Sequence, residues 1–167
     1  LVDGEGWINA SDLSTTDNRI EAVQKVLNEK YNNQERISVY VKQLDTDRVA
    51  AINDEKSMYA ASVAKLGVLY YAQERLSQKK LSLSDEYQYT SAVNGFPGAY
   101  DPDGSGKISK MPDDKNYSLE NLLKAVAQNS DNVATNILGY YVTNQYDKAF
   151  QKSVDKAAAT SWNMDKK

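Results

Sequence analysis

The sequence predicts an α+β domain with a small sheet, and three observations carry that expectation. A helical apolar repeat comes first, an alternating strand pair follows, and almost every later periodic segment is helical. At 167 residues, 41% of them hydrophobic, the chain is long enough to bury a core of its own.

The elements follow in order. Thr16 and Asp17 are capping candidates ahead of Ile20, Val23 and Leu27, spaced for one helix face. Ile37–Val41 alternates as a strand does, 44–48 reads as a turn, and Val49–Ile52 returns as the partner strand. Residues 62–79 read as the strongest helix, opened by Ser62 and apolar at Val63, Leu66, Leu69, Tyr70 and Leu76. Its one glycine, Gly67, costs about 1 kcal/mol relative to alanine and invites a close neighbour. The stretch 91–116, rich in Gly, Pro, Asp and Ser, reads as a long surface loop. Ser118 opens another helix, a further one follows Asn129-Ser130-Asp131, and a last amphipathic helix covers about 146–156. There is no internal repeat and no low-complexity tract.

Composition excludes several chemistries. The chain has no cysteine and no histidine, which removes thiolate metal sites, disulfides, a cysteine nucleophile and any Ser-His-Asp triad. A net charge of −3 without a clustered basic face argues against nucleic acid as a partner. No apolar run approaches the roughly 18 residues of a membrane span. Asp101-Pro102-Asp103-Gly104-Ser105-Gly106-Lys107-Ile108 imitates the start of an EF-hand calcium loop. Pro112, however, stands where that loop needs a bidentate glutamate, so a turn-rich surface loop is expected and no metal site is assigned. No cofactor is expected either.

Two short motifs carry the chemistry. Ser62-Val63-Ala64-Lys65 sets a hydroxyl and an amine three residues apart at the start of a helix, on one face. A serine needs a base, and a desolvated lysine can serve as one near neutral pH. In a chain without histidine this is the one local arrangement that solves the problem. Alone, Ser-x-x-Lys is a common accident, a cap beside a solvated lysine. Ser130-Asp131-Asn132 follows at a helix–helix junction, where each of its residue types is also a good cap.

The two motifs in this order, with apolar residues on both sides of the lysine and Ala134 and Asn136 after the second, resemble the class A β-lactamases and penicillin-binding proteins. The resemblance runs from about Arg36 to Asp165. It implies a β-lactamase-like helical domain with an N-terminal helix and hairpin, acting as a serine hydrolase on a β-lactam or a peptidoglycan stem peptide. Carried over by residue, Ser62 attacks the carbonyl and Lys65 takes or organises its proton. Ser130 relays a proton to the leaving nitrogen, Asn132 holds the substrate's side-chain amide, and Asp131 is structural. The Ser62 backbone N–H would be half of an oxyanion hole.

The pattern departs from the family in two places. No Lys-Ser-Gly or Lys-Thr-Gly occurs, so the C-terminal strands of the sheet are expected to be lacking and the 167 residues to be inactive alone. The stretch 160–167, where class A enzymes place a water-activating glutamate, has none, and Asp165 is a short substitute. A D,D-peptidase with slow deacylation, or a non-catalytic binding module, are the competing expectations.

Residues 1–14, with Gly4, Gly6, Trp7 and Ile8, resemble the end of a bacterial Src-homology-3-like cell-wall module. The division expected is therefore 1–16 as tail or linker and 17–167 as partial enzyme domain. Opening at Leu1 without a leader, the chain reads as processed or excised, and as extracellular or surface-attached in a Gram-positive cell. A hairpin whose sheet partners are missing is expected to recruit a second copy.

Overall fold

The computed structural model describes residues 17–162. They fall into two compact units, the first ending at Tyr59 and the second beginning at Ala60; the division expected near residue 16 falls at the edge of the described residues. The wall-module resemblance of residues 1–14 and the Asp165 substitution lie outside the described residues.

The first unit is a helix on a hairpin. Helix α1, Arg19–Tyr31, buries Ile20 and Leu27 as their spacing requires. Strands β1, Val39–Lys42, and β2, Val49–Ile52, pair antiparallel with Val39 opposite Ile52. Ala50 is fully buried, and with Ile20 and Leu27 it makes a core that Val23, Val41 and Ile52 extend. Gln24 on α1 accepts from Ala51 N at 2.8 Å and donates to Ala51 O at 3.0 Å. One side chain thus satisfies the outward backbone groups at the middle of β2, an edge otherwise open to another chain. Asp17 accepts from Arg19 N at 3.1 Å, and hydrogen bonds from the Arg19 guanidinium, with Gln43 adding to them, hold its carboxyl well below the usual range.

The second unit is helical around α2, Lys65–Ser77, which packs against α3 (Leu119–Asn129), α4 (Asn132–Tyr141) and α5 (Lys148–Trp162). Its core joins Val68 and Tyr71 of α2, Leu119 and Leu122 of α3, and Ile137 and Leu138 of α4. A side chain on Gly67 would sit 3.4 Å from Val154 and 3.5 Å from Phe150, ordinary contact distances, so α5 is the close neighbour expected there but an alanine would fit beside it. Short strands β3, Glu86–Gln88, and β4, Asn116–Ser118, pair antiparallel and close the base of the loop between them. That second ladder is absent from the sequence reading, which had 91–116 as loop. Three-residue strands give too short an alternation to recognise.

Two helix starts also differ from expectation. Ser62 does not open α2; it lies in a 3₁₀ turn, Ala61–Ala64, and the α-helix begins at Lys65. The last helix begins at Lys148 instead of 146, because Asn144, Gln145 and Tyr146 all have positive φ. Asp147 then starts it by accepting from Ala149 N at 2.8 Å and Phe150 N at 2.9 Å.

Candidate active site

All five residues singled out by the two motifs lie in the second unit. Ser62 is exposed and follows Ala61, whose φ of 46° is costly for any residue with a Cβ. Such strain at the residue before a hydroxyl needs the surrounding fold to hold it.

Lys65 is 2% exposed although it carries an amine. Its Nζ donates to Ser130 O at 2.5 Å and to Asn132 Oδ1 at 2.5 Å, with Ser130 Oγ at 3.2 Å. The face of the Tyr100 ring lies 4.7 Å away. Burial lowers the Lys65 pKa from the ordinary lysine value, and the Asp131 charge opposes that shift without cancelling it.

These contacts have a chemical reading. A neutral amine has two N–H groups and a lone pair. The two carbonyl-type oxygens take two N–H groups in either charge state, and the third position faces Ser130 Oγ, which accepts from an ammonium and can donate to the lone pair of a neutral amine. The hydroxyl within reach is Ser130, not Ser62. Among the described residues no hydrogen bond joins Ser62 Oγ to Lys65, so the expected serine–lysine contact is replaced by a lysine–serine contact across the helix junction. Ser62, Lys65 and Ser130 nonetheless line one cleft of about 330 Å³, walled by Val63, Leu66 and Val126.

The turn that carries the second motif explains its sharpness. Ser130 ends α3 in the left-handed conformation, φ 50°, ψ 40°. Asp131, fully buried, then caps α4 by accepting from Ala134 N at 2.9 Å. Its other oxygen accepts from Lys107 N at 2.5 Å and Ile108 N at 2.9 Å. Asn132 N donates to Ser105 O at 2.7 Å, and Asn132 Nδ2 to Asp101 O at 2.7 Å. Asn132 Nδ2 carries a second N–H beyond the one given to Asp101 O.

Sequence reasoning missed Tyr100, and it named Asn136 within the resemblance without giving it a role. Asn136, fully buried, accepts from Tyr100 N at 2.7 Å and donates to Tyr100 O at 2.8 Å, pinning the backbone that presents the ring to Lys65. The available signal was the spacing of Asn132 and Asn136, one helical turn apart. The calcium-like loop is bonded otherwise than an EF-hand: Asp101 Oδ1 accepts from Asp103 N at 2.9 Å, and its backbone oxygen serves Asn132.

The sequence pattern of the Beta-lactamase enzyme family matches residues 18–163. The chain belongs to that family. Membership makes it a serine hydrolase by family. No curated protein is similar enough to match. Among solved structures, a PBP-A variant described as an acyl-enzyme complex with penicillin G superposes with a TM-score of 0.60. It shares 16% identity, over 71% of this chain and 43% of that one. The β-lactamase from Sphaerobacter thermophilus DSM 20745 gives 0.59 at 19% identity, over 87% of this chain and 49% of that one. At those identities the likeness is of fold. This family member spans less than half the length of the structures it matches.

Proposed function

We propose that this chain carries the acylation centre of a serine enzyme that reacts with a β-lactam or the peptidoglycan stem peptide. The observation that supports it most is Lys65, buried with neutral oxygens around its amine and sharing a cleft with both serines. Ser62 attacks the carbonyl carbon, and its proton passes to the Lys65 amine. The proton reaches the leaving nitrogen through Ser130 Oγ, so the ring or peptide C–N bond breaks as the ester forms. Asn132 offers its remaining N–H to the substrate's side-chain amide. The reading places the protein outside the cytoplasm, where such substrates are.

Two features set the rate. These 167 residues contain no Lys-Ser-Gly or Lys-Thr-Gly, so as tested alone they offer one oxyanion donor, and lacking a second costs roughly 10²–10³ in rate. No glutamate stands in 160–167 to activate water, which favours a long-lived ester, the behaviour of a D,D-peptidase more than of a resistance enzyme.

Incubating the chain with excess fluorescent penicillin and following intact mass tests this. We expect slow, single, persistent labelling that Ser62→Ala abolishes and Lys65→Met strongly slows. The labelling rate should rise with pH until it passes the lowered Lys65 pKa, since only the neutral amine accepts a proton. Label that survives Ser62→Ala, or no label at all, overturns the acylation reading; rapid multiple turnover overturns slow deacylation.

A further inference from the structure

The loop that imitates calcium-binding sequence is left without a task by the motifs on either side of it. We propose that residues 101–108 are a positioning strap for the Lys65–Asn132 pair, and that Gly104 and Gly106 are the positioning residues that let it close.

The strap holds the second motif by four hydrogen bonds. Asp101 O receives Asn132 Nδ2, Ser105 O receives Asn132 N, and the N–H groups of Lys107 and Ile108 both reach Asp131 Oδ2. Asn132 is thereby held by backbone at two atoms, and its Oδ1 is left aimed at Lys65 Nζ, 2.5 Å away. The strap is itself braced. Gly104 N donates to Asp101 O at 3.1 Å, and Lys110 Nζ reaches back to Gly104 O.

Both glycines are sterically required. A Cβ on Gly104 would strike the Asn132 amide, with Asn132 Cγ at 3.3 Å and Asp101 O at 3.2 Å. A Cβ on Gly106 would run into the Asp131 carboxylate, 2.5 Å from Oδ2 and 2.7 Å from Oδ1. Gly106 also has a φ of 140°, which other residues rarely adopt. Neither neighbour can yield. Asp131 is fully buried and bonded at both oxygens, and Asn132 is bonded on both sides. Gly95, by contrast, would place a Cβ no nearer than 3.7 Å to anything. It is the matched position where alanine is tolerated.

A glycine-to-alanine change in the strap therefore lifts it from Asn132 and admits water to Lys65. The strap's purpose rests on the acylation reading, but its geometry does not, so the test reads Lys65 directly. Lysine side chains would be isotope-labelled and the Lys65 signal titrated by NMR. It is assigned as the signal lost in Lys65→Met. In the unaltered chain it should titrate below the other lysines. Gly104→Ala and Gly106→Ala should move the midpoint up by about one unit, toward the ordinary value, as desolvation is relieved. Gly95→Ala should leave it in place even if it lowers the melting temperature equally. Lys110→Ala, which removes only the outer brace, should give a smaller shift in the same direction, and reports if either glycine variant fails to fold. Unshifted Lys65 midpoints in the folded strap variants overturn the proposal, as does a Lys65 that titrates with the surface lysines from the start. Penicillin labelling that fails in every form, with the Lys65 shifts present, counts against the acylation reading and leaves the strap standing.

Discussion

Asp131 shows why the second motif has a carboxylate between its serine and its asparagine. Three backbone N–H groups converge on it, one from its own helix and two from the strap, and none of its surface is exposed. Charge-assisted bonds of this kind are stronger than neutral ones, and their loss leaves buried donors without acceptors. Asp131→Ala should therefore destabilise the second unit by about 3–5 kcal/mol, read as a lower urea midpoint with an unchanged slope. A loss under about 1 kcal/mol would show that water replaces the carboxylate. At this scale the sequence named a hydroxyl, an amine, a second hydroxyl and an amide from spacing and resemblance, and the structure joins three of them, Lys65, Ser130 and Asn132, by hydrogen bonds. The sequence was a poor guide to partners. That Lys65 faces Ser130 instead of Ser62, and that Tyr100 lies against it, depends on contacts between segments more than thirty residues apart.

Among the elements, the two serine-led helix starts behave differently. Ser118 is a true cap, extended at φ −67° and ψ 149°, with its hydroxyl accepting from Asn121 N at 3.3 Å. Ser62 was expected to open α2 by the same residue preference, yet a 3₁₀ turn precedes the helix and the start at Ala64 has no side-chain cap bond. Local preference is overridden there, where Ala61 has positive φ and Ser62 falls within the 3₁₀ turn. The contrast is measurable by thermal denaturation. Ser118→Ala should cost about 1 kcal/mol, and Ser62→Ala should stay within about 0.5 kcal/mol of the unaltered chain. A large loss at Ser62 would mean that its hydroxyl supports the fold. The helices themselves were legible because their apolar faces repeat over three or more turns. The β3–β4 ladder was not, because its register, Tyr87 opposite Tyr117, is decided by the loop it closes.

On the scale of the whole molecule, the chain contains two cores of very different size. The second unit buries Tyr89, Leu119, Leu122, Ile137 and Leu138 completely, within a cluster that links four helices. The first has Ile20, Leu27 and Ala50, a helix and one hairpin. A single small core in a segment this short supplies only about 3–5 kcal/mol, whereas the larger one buries several full-sized side chains, each contributing about 1.5–3 kcal/mol. The α+β class was readable from periodicity, but this inequality was not, since β1 and β2 alternate as well as any strand of a large sheet. Its consequence is a difference in local opening. Native-state hydrogen exchange should show the amides of α1, β1 and β2 opening at lower free energy than those of α3 and α4, by about 2 kcal/mol or more. Leu122→Ala should speed exchange throughout the second unit, because a cavity in its core costs about 2–5 kcal/mol. Leu27→Ala should raise exchange in α1 and the hairpin while the slowest amides of α4 keep their rates. If instead every amide, from α1 to α4, exchanges with one common opening energy, the two cores melt as one. The size of a unit's core would then not set how readily it opens.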